Sequence, residues 1–452
     1  MSATESQYID IYEKYREVIF SNGASLLNDC RENAYKWFKT NGLPTSRDEL
    51  YRHSKIKDLF DFDYGLNLNR LKFPTPDNLF HCDVPINSYL CFLVDEYFMF
   101  SDASRLCWDE LMSKGVLIGS LREAAENHHE LVATYYHQSK GIDKDSLVAF
   151  NTMFTQDGFF LYVPDGVVIE NPIQLICVSN ASVPAISNPR NLIVLGNNAK
   201  ASLLMCEHTM SDRESLANFV TEVFVGDNSY FDYYKLESSG NKSVSLDSFF
   251  LSQGKDSNVL INDMTLQNGF SRNNLKIDLN GMGAELALCG MVIGDAEQHV
   301  DNYTVVNHNV PNCTSKELFK YVLNDASVGA FSGRVYVAKD AQKTAAYQTN
   351  KNICVGKEAK MFTEPQLEIY ADDVKCSHGA STGQMDETAL FYLRSRGIPE
   401  AEAKMLLMFA FVSDVIENIR IDSLQDKIRL MVEKRFRGEL PQCKGCNVRC
   451  GG

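Results

Sequence analysis

The sequence predicts a mainly β protein, a flattened parallel β-solenoid held between two helical regions. Three observations predict it. From about residue 145 to 376, short β-rich runs alternate with turn residues, and no long helical period intervenes. The turns recur: Pro164-Asp165-Gly166, Gly196-Asn197-Asn198, Gly226-Asp227-Asn228, Gly254-Lys255-Asp256 and Asn280-Gly281 stand mostly about 27–31 residues apart, with weaker turns midway. Helical periodicity is confined to the segments on either side.

Each coil of such a solenoid gives one strand to each of two facing sheets, so a full turn takes roughly 30 residues. A hexapeptide-type coil repeats much faster, and a Greek-key sandwich spaces its turns at about 8–12 residues, slightly too short. Some 230 residues at about 30 per turn give seven or eight coils. A solenoid must protect its ends, and the flanking helical segments are natural caps. The organisation expected is therefore a helical and mixed α/β region over 1–140, the β-helix over 141–380, a helical region over 381–442 and a cysteine-rich tail over 443–452.

In order along the chain, Tyr8, Ile11, Tyr12, Tyr15, Val18 and Ile19 recur at helical spacing, and a second helix is expected over 24–39. Gly42-Leu43-Pro44 stops it, and Ser46-Arg47-Asp48-Glu49 has the capping-box form that opens another. SYLCFLVDEYFMF is a strand candidate and SLREAAENHHELVATYYHQ a helix, with His128, His129 and His137 on or beyond it. Adjacent histidines on a helix point roughly 100° apart, so a solvated face is expected rather than a ligand pair. Towards the other end, Asp386 is placed to cap a helix over 386–396. Pro399 opens a second helix to about 419, whose Met405, Met408, Phe409, Val412, Val415, Ile416 and Ile419 form an apolar stripe. Asp422-Ser423-Leu424-Gln425 opens the last.

The balance of 44 basic against 59 acidic residues, a net charge of −15, argues against nucleic acid as a partner. The one dense basic stretch, Lys434-Arg435-Phe436-Arg437, falls at a predicted helix C-terminus, where cations suit the dipole. The N-terminus lacks a basic start followed by an apolar core, and the apolar run 405–412 falls short of the ~20 residues of a membrane span, so neither a secretory signal nor a membrane anchor is expected. Thirteen cysteines, an odd number scattered through a long chain, do not look like a disulfide framework. A reducing cytoplasm is the compartment expected.

No GxxxxGK[ST], no GxGxxG between a strand and a helix, no HExxH and no GxSxG is present, so no nucleotide is expected on this chain. Gly281-Met282-Gly283 is a turn of the repeat. Glu207-His208 ends the strand ASLLMC and reads as a hydrogen-bonded structural pair, and Cys289 alternates as a core residue. Cys376 and His378 differ. They follow the strand LEIYA and the turn Asp372-Asp373, and in extended backbone residues two apart project to the same side. Thiolate and imidazole are iron, zinc and sulfur-handling ligands, but two donors do not complete a tetrahedral site, so others must come from elsewhere or from a partner. In the tail, Cys443, Cys446 and Cys450 have ligand spacing with glycines that let the backbone wrap a metal. With three thiols, either a second metal or cluster site or an adventitious thiol tail is compatible.

The run LEIYADDVKCSHGASTGQMDETALFYLRSRGIP closely resembles the C-terminal part of the SufD subunits of the SufB/SufD family, scaffolds of SUF iron–sulfur cluster assembly. Cys313-Thr314-Ser315-Lys316-Glu317-Leu318-Phe319-Lys320 and Asn350-Lys351-Asn352 resemble the same family. The resemblance is specific over roughly 300–420 and weaker in the N-terminal third. SufB-type subunits usually carry a carboxylate after the histidine, so Gly379 favours the D type. The resemblance implies a right-handed parallel β-helix, pairing with a SufB-like paralogue (or a homodimer when isolated), docking of a SufC-like ATPase on the C-terminal helices, and no catalysis by this chain. It also implies a transient iron–sulfur cluster shared with the partner, with His378 the residue implicated and Cys376 beside it. Two alternatives differ in kind: a solenoid carbohydrate-active enzyme, which would want carboxylates or arginines along an exposed groove and usually a secretion signal, and a SufB-like scaffold that binds a reduced flavin.

Overall fold

The computed structural model describes residues 3–71, 86–100 and 105–439. Helices α1 (Ala3–Asn22), α2 (Ser25–Asp29), α3 (Arg31–Asn41), α4 (Ile56–Leu59), α5 (Arg105–Ser113), α6 (Leu121–Asn127), α7 (His129–Tyr135) and α8 (Ser146–Phe154) precede the coils, and α9 (Glu387–Ser395), α10 (Glu400–Glu417) and α11 (Asp422–Phe436) follow them. The first strands are β1 (Gly65–Leu66), β2 (Tyr89–Val94), β3 (Tyr97–Phe100), β4 (Leu117–Ser120), β5 (Phe159–Val163), β6 (Ile173–Ser179) and β7 (Ala185–Ser187). They lead into β8 (Arg190–Leu195), β9 (Lys200–Thr209), β10 (Ser215–Val225), β11 (Tyr230–Ser238), β12 (Ser243–Gln253), β13 (Asn258–Gln267) and β14 (Phe270–Leu279). The series ends with β15 (Glu285–Gly294), β16 (His299–His308), β17 (Thr314–Leu323), β18 (Val328–Val337), β19 (Ala345–Cys354), β20 (Lys360–Ile369) and β21 (Lys375–Gly383).

From β8 onward, even and odd strands part into two sheets. One runs β4-β5-β8-β10-β12-β14-β16-β18-β20, with β1 and β7 beside β10, and the other β3-β2-β6-β9-β11-β13-β15-β17-β19-β21. Every pairing is parallel except β2 with β3 and β4 with β5 at the N-terminal end. The result is a parallel β-solenoid of about eight turns. Lys200, Tyr230, Asn258, Glu285, Thr314, Ala345 and Lys375 stand in one register row, and the intervals between them run from 27 to 31 residues, as the turn spacing predicts.

The turn residues are there for a backbone reason. Asn198, Asn228, Asp256 and Gly283 occupy one turn position and all have left-handed φ, which Asn, Asp and Gly tolerate best. Asx side chains also tie coil to coil: Asp165 Oδ1 accepts from Asn197 N (2.7 Å), Asn197 Oδ1 from Asp227 N (2.8 Å) and Asp227 Oδ1 from Lys255 N (2.7 Å).

Alternation puts one set of side chains into the lumen, which forms the largest core cluster from Leu93 and Leu175 through Leu203, Phe231, Phe249 and Leu288 to Phe319 and Phe331. Trp108 and Leu111 of α5 join that cluster and close the N-terminal end. Tyr8, Tyr12, Phe38 and Phe150 cover the outer face of the first sheet over Leu216, Val244 and Leu246.

The helical elements depart from expectation in four places. The helix expected over SLREAAENHHELVATYYHQ breaks at His128 into α6 and α7. The helix expected over 24–39 breaks at Cys30 into α2 and α3. The Ser46–Glu49 pattern opens only a 3₁₀ turn, Glu49–Tyr51, because Asp48 Oδ2 turns back to accept from Thr45 N at 2.7 Å. That segment then serves as a strap across the first sheet, with the Arg272 guanidinium over the Tyr51 ring. Finally, α10 and α11 do not cap the last coil. Val412, Val415, Ile416, Leu424, Ile428 and Val432 pack on the outer face of the second sheet over Leu204, Tyr234, Leu260 and Met291. Asn262 Nδ2 to Val415 O (3.0 Å), Arg420 to Asp232 (2.8 Å) and Arg435 to Asp295 (2.6 Å) fasten them there.

Candidate functional site at the open end of the solenoid

β20 and β21 end their sheets, and among the described residues no strand pairs with their outer edges. β21 is exposed at every residue except the half-buried Cys376. Its start is set by the preceding turn, where Asp373 N donates to Gln342 Oε1 (2.8 Å) and Lys375 N to Thr344 O (2.8 Å). The strand lies parallel to β19 with Ala346 opposite Cys376, Gln348 opposite His378, Asn350 opposite Ala380 and Asn352 opposite Thr382.

Those four β19 residues are buried, whereas Tyr347 and Lys351 between them are exposed. Cys376 and His378 therefore share the inward face of the last strand, as their spacing predicts. Cys376 packs against Val335, Val337, Ala346, Ala371 and Leu367, and burial pushes its thiol pKa up. His378 is exposed at the open rim. Among the described residues, no group of three or more His, Cys, Asp or Glu side chains converges to hold a metal ion. The pair supplies two donors to whatever meets this edge, and a four-coordinate iron needs the rest from another molecule.

One coil below, the column is polar. Glu317, Gln348 and His378 are successive register partners on β17, β19 and β21. Thr304 Oγ1 donates to Glu317 Oε2 at 2.8 Å, and Gln348 Nε2 reaches the same oxygen at 3.4 Å. Burial pushes the Glu317 carboxyl up to about 7, against the pull of these two hydrogen bonds. Gly333 stands opposite because a Cβ there would lie 2.3 Å from Gln348 Nε2. Glu317 and Gln348 are the residues that sequence reasoning misses; the only signal was a polar residue at an inward position of an alternating strand.

The other candidates, where they fall among the described residues, take structural or solvent-exposed positions. His128 and His129 are exposed, but His137 is not on a solvated face. Its backbone takes left-handed φ past α7, its ring bonds Asp143 (2.6 Å) and Arg190 (3.2 Å), and burial lowers its pKa. Glu207 lies in the lumen 3.1 Å from Lys235, with His208 buried beside it. Cys289 is buried in the layer between the second sheet and the C-terminal helices. Arg435 and Arg437 are held by Asp295 and by Glu402 and Glu433. Cys443, Cys446 and Cys450 lie outside the described residues.

Comparison with known proteins agrees with this architecture. The family model described as "SUF system FeS cluster assembly, SufBD core domain" matches residues 177–411, which begin within β6 and end within α10. A second, "SufBD protein N-terminal region", matches residues 2–175. The chain belongs to the SufBD family. A SufBD family iron–sulfur cluster assembly protein of Synechocystis is 26% identical over 432 residues, 93% of this chain and 94% of that protein. The iron–sulfur cluster assembly protein SufD of Escherichia coli is 30% identical over 249 residues, 55% of this chain and 59% of its own length. SufD of Bacillus subtilis is 26% identical over 331 residues, covering 73% and 76%. These SufBD relatives place the chain in iron–sulfur cluster assembly, and homologues named SufD are among them.

Proposed function

We propose that this SufBD protein is a non-catalytic scaffold, pairing through its open coil with a SufB-like paralogue and docking a SufC-like ATPase. The cluster under construction is the cargo, held transiently where the two solenoids meet, with His378 and Cys376 contributing from this side. The observation that carries the reading is the last coil, which presents a thiol and an imidazole on its inward face beside two strand edges with which no strand among the described residues pairs. Apolar edges left bare invite uncontrolled association, so an edge kept polar and ligand-bearing suits a specific partner.

The ATPase is assigned to the C-terminal helices. Phe391, 74% exposed, and Tyr392, 56% exposed, stand on α9, and Leu406 is exposed on α10, while the opposite faces of α10 and α11 are bound to the second sheet. A cytoplasmic location goes with this role; the cysteines whose side chains are described are free thiols, and no helix among the described residues is long and apolar enough to cross a membrane.

The test is anaerobic co-expression with both partners, scored by visible absorption, iron and acid-labile sulfide. His378→Ala removes an exposed side chain, so stability should change by no more than about 0.5 kcal/mol and the complex should form. Cluster content should fall sharply, and less so for Cys376→Ser, since a partner thiol supplies the main sulfur-handling group. Wild-type cluster content in the His378→Ala complex would remove the central claim.

A further inference from the structure

The lumen beneath His378 holds a hydrogen-bonded chain that stops one link short. Glu317 and Gln348 are 3% and 2% exposed, and Thr304 and Gln348 both donate to Glu317 Oε2. With its amide nitrogen committed downward, Gln348 keeps Oε1 as an acceptor. Among the described residues that buried oxygen has no hydrogen-bond partner. A buried acceptor left unmatched costs about 1–3 kcal/mol, so such an atom ordinarily has a purpose. Directly above it in register stands His378, one strand spacing (about 4.8 Å) away on the same inward column.

We propose that Gln348 is a positioning residue for His378: its amide, held from below by Glu317, which Thr304 bonds in turn, receives one imidazole N–H and turns the other ring nitrogen outward to the partner surface. This deepens the reading of His378 given above and rests on it. A histidine that ligates a metal presents one ring nitrogen and needs the other held by an acceptor, which fixes both tautomer and ring plane. A long side chain is required at 348 because the acceptor must stand at mid-lumen, and Gly333 on the facing sheet gives it the room. The arrangement also explains why the penultimate coil carries an amide where β15 has Leu288 in the same column.

The experiment uses the full chain with Gln348→Met, which keeps length and volume but removes the acceptor. The neutral-form tautomer ratio of His378 is read by ¹⁵N NMR on histidine-labelled protein, with His378→Ala identifying the signal. Wild type should show one dominant tautomer, and Gln348→Met a mixture. In the complex assembled anaerobically with its partners, Gln348→Met should lower cluster content about tenfold, the lower end of what losing such a support costs. Glu317→Gln keeps an oxygen for the Gln348 amide and should hold the wild-type tautomer. An unchanged tautomer ratio in Gln348→Met, or unchanged cluster content in Gln348→Met where His378→Ala lowers it, overturns this inference alone. Unchanged cluster content in His378→Ala overturns the underlying site.

Discussion

Glu317 makes the stability of the open end depend on pH, and the direction follows from its surroundings. The carboxyl is buried in the lumen, and loss of water raises its pKa from near 4.5 to about 7. A folded-state value above the unfolded one means that the native protein holds this proton longer. Its contribution to stability is therefore fully present below about pH 4.5 and is lost as the pH rises through about 7. A gap of about 2.5 pH units corresponds to about 3 kcal/mol, of which about 2–3 kcal/mol is lost between pH 5 and 8. Glu317→Gln keeps the volume and an acceptor for Thr304 and Gln348 but cannot ionise. Urea unfolding of wild type and variant at pH 5, 6, 7 and 8, followed by circular dichroism, isolates the group, because every other titration is common to both. The variant should gain on wild type by about 2–3 kcal/mol across that range. Parallel stability curves would show that Glu317 reaches water or a cation in the folded state, and the account of a sealed polar lumen would fail.

Two further outcomes test the surfaces. Phe391→Ser and Leu406→Ser change side chains that are largely or partly exposed, so each should leave stability within about 1 kcal/mol. Both should weaken ATPase binding while sparing the pairing of solenoids, checked by pull-down of each partner separately; loss of both interactions or neither would displace the ATPase from α9 and α10. Glu222→Ala should cost about 3–5 kcal/mol of stability, because it strands the fully buried Arg190 guanidinium 2.8 Å away and frees the His137 and Ser139 amides. Thermal denaturation reads that loss, and a variant as stable as wild type would refute it.

The repeat was legible because its turns demand particular residues. Asn198, Asn228 and Asp256 are what an L-residue chain places at left-handed φ, and their spacing is the length of a coil. The common face of Cys376 and His378 was legible for a similar reason, since period two survives in any strand. What stands beneath them was not. Lumen neighbours such as Glu317, Gln348 and His378 lie about one coil apart in sequence, and coil length varies between 27 and 31 residues, so counting does not fix the register. The placement of α10 and α11 was hidden too: their apolar stripe announces a packed face, but only long-range pairs such as Arg420 with Asp232 decide that the face is the second sheet rather than the coil end. His137 shows the same limit, as Arg190 and Asp143 hold it in a loop where helical period no longer applies.

The two ends of the solenoid differ in lining, and on the proposed pairing this bears on which strand the partner would extend. At the N-terminal end, Trp108 and Leu111 seal an apolar lumen. At the other, the lumen carries Gln348, Asn350 and Asn352, with Asn352 Nδ2 donating to Asn350 Oδ1 (2.7 Å) and Thr382 Oγ1 (3.1 Å), so an open coil faces water at little cost. Its two edges are unequal. β20 has Pro365 at its centre, which lacks an N–H and belongs on an edge that is not to be extended, whereas β21 has no proline. β21 is therefore the strand expected to pair. Lys375 N donates to Thr344 O, the residue just before β19, so by alternation the amides of 377, 379 and 381 face β19 and those of 376, 378 and 380 face outward. Ala380→Pro should leave the isolated chain within about 1 kcal/mol of wild type yet weaken pairing with the paralogue about tenfold, having removed one outward donor and placed a ring in its way. Ser381→Pro, one residue on, should do the reverse, destabilising the last coil itself. Sedimentation equilibrium with the purified paralogue and urea unfolding of each variant separate the two effects. If Ala380→Pro pairs like wild type, the partner does not add to β21, and the edge beside His378 is a rim that the partner covers with side chains instead.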